Sequence, residues 1–518
     1  MKKIVLARVV GWLFLGIAFV WFAFSTIHGG HLFFRDAEIN LRDPVLILNK
    51  TMGLSLLGLL LLGKKDAIMA SMRHIGTVKG MWWLTLMAAV IFASFSLLRH
   101  YIFGDPAYDV GLFEHFLYRL SKGSLEGFVS YHRVLFGDHL FLLFYPYSLI
   151  YRFTGMAGVM VIHKAVLASV VPFSFLLGKA LKLDNERTGF LCLMAVLAPA
   201  FFNLGISNFY VEGLIFPIGV GLLWAFYARR PVWIFVFSLA FILIREDAGI
   251  ALGFIFVFFA LVERKWRWVF LGLAAVLLSL AFMQVQTSLS SYAGNRLSVR
   301  YGISSFLDVA GFVRLFLRII SPKAILAFVI MSLGFGVLPF LSWRGLLTSY
   351  LSACPNLASN YFRQAYLRAY YPLFSYSVLF AGVAETLTRL KPHRFRTLGL
   401  LSLASALLLG PRWLSHRFDP GYLRSAYRVL AKVPKNDPLA ATSSMASLAS
   451  ARDTVYVLTR FSADSSSGRI LASSTVVLEE TDVYYRNDWQ RARSFLLQNG
   501  YTEKFSGAGI HLLVRPTR

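Results

Sequence analysis

The chain has 518 residues, of which 57% are hydrophobic and 15% charged, with a mean hydropathy of +0.62. A soluble domain carries about 25% charged residues. The composition therefore excludes an ordinary soluble enzyme, and recurring apolar runs near the ~20 residues that cross a bilayer indicate a polytopic membrane protein. The formal net charge of +26 does not point to nucleic acid. The basic residues fall in short clusters between apolar runs (Lys64-Lys65, Arg229-Arg230, Arg264-Lys265 with Arg267, Lys391 with Arg394 and Arg396), as cytoplasmic loops do. No recognised nucleic-acid module accompanies them.

Met1-Lys2-Lys3 followed by an apolar run resembles a signal peptide, but no small-x-small cleavage site follows, so a retained anchor is expected. Lys2, Lys3 and Arg8 place the N-terminus in the cytoplasm, before spans at about 8–27 and 44–63. These two form an extra N-terminal unit, 1–80, ahead of a transmembrane core over 81–411. The third span, about 81–102, exits into an external loop, 104–139.

That loop opens with the stretch around which the chain is organised, Gly104 to Arg119. Val110, Phe113, Leu117 and Leu120 recur at helical spacing, predicting an amphipathic helix that lies on the membrane surface with Asp109 at its mouth. The apolar Leu140–Tyr151, broken by Pro146, is short for a crossing and predicts a re-entrant or interfacial helix. Spans follow near 156–180, 188–204, 213–228, 231–244, 248–262, 268–286, 322–341, 372–390 and 396–411. The total is about thirteen crossings, counting the short Pro355-interrupted return at 345–357. Ser207–Glu212, Arg245–Asp247, 286–321 and Asn360–Tyr371 then fall outside. So does a tail, 412–518, whose alternating strands and helix predict a small α/β domain able to fold separately. Cys192 and Cys354 lie in apolar surroundings and carry no ligand spacing.

Each candidate residue has a bland reading beside the chemical one. Asp109 caps the helix, or it is a general base; Asp105 before Pro106 is a turn signal first. Glu114, further along the same helix, is the second catalytic candidate. Asp138 and His139 cap the following helix, or they hold a divalent cation (Mg or Mn) together with Asp109. His163-Lys164 stand inside an apolar span, where a charge needs a partner or a function, unless Lys164 snorkels outward. Arg245-Glu246-Asp247 is either an internal ion cluster or a phosphate-binding arginine with its carboxylates. Arg363 and Arg368, among Tyr361, Tyr366, Tyr370 and Tyr371, are interfacial anchors or ligands for a lipid-linked phosphate.

Several short motifs occur in an informative order. Tyr108–Phe113, Gly137-Asp138-His139 with Tyr145-Pro146, and Ile244–Asp247 are followed in the tail by Val433-Pro434, Val455–Leu458, Gly500-Tyr501 and Gly509-Ile510. Over about 81–518 this order resembles the membrane-protein family of unknown function numbered 2079, which is similar to GT-C glycosyltransferases. The resemblance implies an all-α GT-C-like core with a small periplasmic α/β domain, in the inner (cytoplasmic) membrane. It implies transfer of a sugar, with inversion, from a polyprenyl-phosphate donor to a glycan or lipid acceptor at the outer face. Asp109 matches the acceptor-activating Asp of the first external loop, and Lys164, Arg245, Arg363 and Arg368 are the expected donor-phosphate cations. Two departures stand out: Asn208-Phe-Tyr-Val-Glu212 replaces an Asp-Phe-His-Pro-Glu-like motif, and His163-Lys164 replaces a neutral polar position. The alternatives are a lipid or solute transporter, against which no matched pair of interrupted segments appears, and a non-catalytic scaffold or glycan-binding protein.

Overall fold

The computed structural model describes residues 2–28, 31–34, 37–40, 43–102, 110–129, 132–134, 136, 139–207, 209–289, 301, 308–367, 371–410, 420–435, 437–458, 471–480 and 488–516. Among them, Val78–Tyr101, Phe144–Ala180 and Arg267–Leu289 are long and apolar enough to cross a membrane. Two further pairs reach that length only together. Asn185–Leu197 and Pro199–Ile206 meet at 59°, and Val309–Ile319 and Pro322–Leu333 meet at 47°. Five shorter apolar helices accompany them. The expected single span at 188–204 is thus a bent pair. Pro199 has no N–H to donate and disfavours helical geometry at Ala198, which sits at ψ 116°.

The short helix expected over Leu140–Tyr151 is present, beginning at Phe144 and joined to the following span at Gly155, whose φ of +64° only glycine adopts readily. Elsewhere glycines allow close helix contact. Gly253 faces the backbone of Gly272 where Ala248–Glu263 packs on Arg267–Leu289, a small-residue contact suited to a low-dielectric setting. Apolar side chains such as Trp83, Leu86, Phe270 and Leu273 are exposed on the outside of the bundle, the surface that lipid would cover.

The tail carries a five-stranded sheet in the order Val455–Leu458, Leu439–Thr442, Thr475–Glu479, Ile510–Val514, Thr502–Gly507. The first three are parallel and the last two antiparallel to their neighbours. Alternation divides its faces: Leu439, Ala441, Val477 and Leu512 join the core continuous with the helical body, whereas Ala440, Val476, Leu478 and Leu513 pack on Ala492 and Leu496 of the helix Trp489–Gln498. Two strands are absent from the sequence reading. Leu439–Thr442 is half alanine, a weak strand former, and Thr502–Gly507 is an edge strand with exposed polar positions.

The opening helix, Leu112–Ser121, corrects a second expectation. It does not lie on an open surface: Glu114 and His115 are buried along with Phe113, Phe116 and Leu117. Its apolar face packs on the helix from Phe144, and the tail covers its polar face.

Candidate functional site

The apolar stripe of the opening helix sets the site's position. Phe113 meets Phe141 and Phe144 edge-on at 5.7 and 5.5 Å, and Phe209 and Tyr210 at 6.0 and 6.2 Å. The loop Ser207–Glu212 therefore lies against the helix that Asp109 precedes. This loop leaves the helix Pro199–Ile206, whose terminal carbonyls are met by a cation: Lys164 Nζ donates to Leu204 O at 2.6 Å and to Ser207 O at 3.0 Å. A lysine at a helix C-terminus complements the partial negative charge there, which explains how a fully buried ammonium is tolerated inside the bundle.

At the far end of the loop, Glu212 pairs with Arg245 at 3.2 Å. Arg245 grips Asp247 through two parallel 2.6 Å hydrogen bonds and lies 4.6 Å over the Phe374 ring. The adjacent Glu246 turns the other way, accepting the Leu140 N–H at 2.9 Å and pairing with His139 Nδ1 at 2.6 Å. Burial acts to raise the Glu246 pKa, but His139, Arg245 and the Leu140 amide outweigh it and hold the carboxyl below its ordinary range. Loops distant in sequence thus meet through buried charge-assisted contacts.

One buried polar atom here, Glu212 Oε2, has no hydrogen-bond partner among the described residues. His163 holds Tyr147 through Nδ1 at 2.8 Å and stacks edge-on with Phe209 at 4.8 Å. Unsatisfied buried polar atoms are rare in native proteins and mark a place reserved for water, a ligand or strain.

On the opposite face of the opening helix, the tail supplies Ser450. Its hydroxyl donates to Glu114 Oε2 at 2.9 Å, and its carbonyl oxygen lies 3.2 Å from His115 Nδ1. Tyr151 donates to the other Glu114 oxygen at 3.3 Å. Burial raises the Glu114 pKa against the opposing pull of His100, Ser450 and Tyr151. Burial also lowers that of His115, to about 4. Nothing local in the sequence signals this contact, since Ser450 lies 336 residues from Glu114.

Of the expected site residues, His139, Lys164 and Arg245 gather around one loop, while Arg363 is exposed on the separate turn Phe362–Ala365. Asp109, Asp138 and Arg368 lie outside the described residues, as do Asp105, Asn208 and Tyr370. Among the described residues no group of three or more His, Cys, Asp or Glu converges as metal ligands. Two of the three residues read for a divalent cation fall outside that set, and the third, His139, is engaged with Glu246.

No curated protein matches the chain. Among solved structures, ArnT from Cupriavidus metallidurans bound to undecaprenyl phosphate is similar at a TM-score of 0.50 and 11% identity, over 85% of this chain and 100% of that one. The apo form of the same protein aligns at 0.45 and 12%, over 83% and 99%. At that identity the likeness shows that the chain shares the ArnT fold. With the family match spanning residues 99–506, the chain belongs to the family described as predicted membrane protein, DUF2079.

Proposed function

We propose that this protein is a membrane glycosyltransferase that moves a sugar from a polyprenyl-phosphate donor to an acceptor hydroxyl at the outer face of the cytoplasmic membrane. The observation that carries the reading is the gathering of the Phe113, His139, Ser207–Glu212 and Arg245–Asp247 stretches about the helix that Asp109 precedes. Asp109 accepts the proton of the acceptor hydroxyl as its oxygen bonds to the anomeric carbon. The bond from that carbon to the donor phosphate oxygen breaks, and polyprenyl phosphate leaves. A base acting in this way contributes about 10²- to 10⁴-fold.

Glu114 takes a positioning role in this scheme, because both of its oxygens already accept hydrogen bonds from Tyr151 and Ser450. Glu246 fixes the His139 ring through Nδ1, as a carboxylate behind a histidine commonly does. Lys164 and Arg245 anchor the two ends of the loop between them.

Purified protein in nanodiscs, offered a panel of polyprenyl-phosphate-linked sugars with glycan and lipid acceptors, should release polyprenyl phosphate. Asp109→Asn should lower that release about 10²- to 10⁴-fold at an unchanged melting temperature. Full turnover by the folded Asp109→Asn protein would refute the base assignment.

A further inference from the structure

A cavity of about 600 Å³ lies beside the site, between the helices Pro199–Ile206 and Pro322–Leu333 and under the turn that carries Tyr366. The size falls within the usual ligand-pocket range of ~300–1,000 Å³. Its two helices touch at one end, where Pro199 packs on Gly334. From there Pro322–Leu333 runs away along the cavity, past Ile330 and Leu326, to Lys323. Eleven residues at ~1.5 Å each make that wall about 16 Å long, roughly half the ~30 Å hydrocarbon core.

The two ends of the cavity differ in kind. Leu326 and Ile330 are exposed, so the deep part opens sideways to lipid. Lys323 is exposed in the first turn of its helix, where the helix dipole favours an anion, and it makes no ion pair with a described residue. The preceding helix, Val309–Ile319, carries Phe312, Phe316 and Leu317 exposed on one side and Arg314 and Arg318 in its sequence, the make-up of a helix lying in the interface. Lying in the interface, that helix would bring Lys323 to the lipid–water boundary, because the two helices meet at 47° just before it, and exposed Arg363 lies on the turn leading to Tyr366. An apolar slot running inward from a cationic rim fits an amphiphile with one anionic head.

The cavity shares a helix with the candidate site. Asn203 lines the cavity, while its backbone oxygen accepts from Ser207, the first residue of the site loop. An occupant of the cavity therefore shares a wall, Asn203, with the loop where chemistry is assigned. We infer that this cavity holds the head-proximal chain of a polyprenyl phosphate, with Lys323 on the phosphate and Leu326 and Ile330 along the isoprenoid. This inference rests on the glycosyltransferase reading and names its donor subsite.

The test is binding of undecaprenyl phosphate to the full-length protein in nanodiscs of neutral lipid. Undecaprenol, phosphatidylglycerol and inorganic phosphate serve as competitors. Undecaprenyl phosphate should bind saturably, undecaprenol should compete weakly, and the other two should not compete. Lys323→Gln, at an exposed position, should weaken binding roughly ten- to a hundredfold. Ala327→Trp, which fills the slot, should abolish binding of both isoprenoids. Equal competition by phosphatidylglycerol or inorganic phosphate would overturn the inference. Unchanged binding in folded Lys323→Gln would move the subsite elsewhere and leave the glycosyltransferase reading standing. Absence of polyprenyl-phosphate binding by the wild-type protein would remove both.

Discussion

The bent helix pair Asn185–Leu197 and Pro199–Ile206 has a charge cluster near each end, and the two are built from the same residue types. At the start, Glu186 bonds to Arg396 at 2.9 Å and Arg73 at 3.3 Å, and Arg396 also reaches Asp66. Arg73 and Asp66 are 63% and 86% exposed there. Beyond the other end, Arg245 and Glu212 are 1% and 2% exposed. The surface cluster ties three helix ends together through Glu186, which is buried, but its cations reach water (Arg73 63% and Arg396 33% exposed), where ion pairs contribute little. The buried one took its ions out of water at a cost of several kcal/mol each, and hydrophobic replacement is often as stable or more so. Stability alone gives no reason to keep charges at the second place; the proposed function supplies one.

This contrast can be broken experimentally, beginning where the effect is greatest. Arg245→Ala leaves Glu212 buried without its cation and should lower stability by about 3–5 kcal/mol, read as a shift in detergent-denaturant unfolding. Ser450→Ala removes the donor to Glu114 Oε2 and should weaken docking of the tail by about 1–3 kcal/mol. Faster amide exchange in the helix Ser443–Leu448, with the sheet still protected, would check it. Arg396→Ala, at the surface cluster, leaves Glu186 still paired with Arg73 and should change stability by only about 1 kcal/mol. A loss as large as that for Arg245→Ala would erase the distinction.

The tail interface also carries a dependence on pH. His115 is held neutral in the folded protein, with its pKa pushed down to about 4 by burial. Its stabilisation is fully present above the ordinary value of ~6.5 and is lost as pH falls through that value towards 4. Glu114, raised by burial, acts in the opposite sense: its contribution is present at low pH and lost as pH rises through the raised value. Exchange protection of Ser443–Leu448 measured against pH should lose its acid-side fall in His115→Gln. Glu114→Gln should remove the opposing trend. Identical profiles in both variants would show that neither group senses the interface.

Much of this was legible from local chemistry. Apolar runs and basic turns identify a membrane protein, and the order of short motifs identifies its family. The helix periodicity at Val110–Leu120 located the opening helix but not its cover, because the tail that buries Glu114 and His115 arrives from more than three hundred residues away. Charges were readable as candidates, but not their partners. Arg245 stands beside Glu246 in sequence, yet it pairs with Glu212 and Asp247 while Glu246 turns to His139. The Lys323 cavity gave no signal at all, since its wall is an ordinary apolar helix until a second helix leans away from it.

Whether the buried ions serve chemistry is decided by replacing them together, Arg245→Met with Glu212→Leu and Asp247→Asn, and measuring melting temperature and polyprenyl-phosphate release on one preparation. The triple variant should melt at or above the wild-type temperature with release lost. A folded variant that still turns over donor at the wild-type rate would show that the ions serve structure and not transfer.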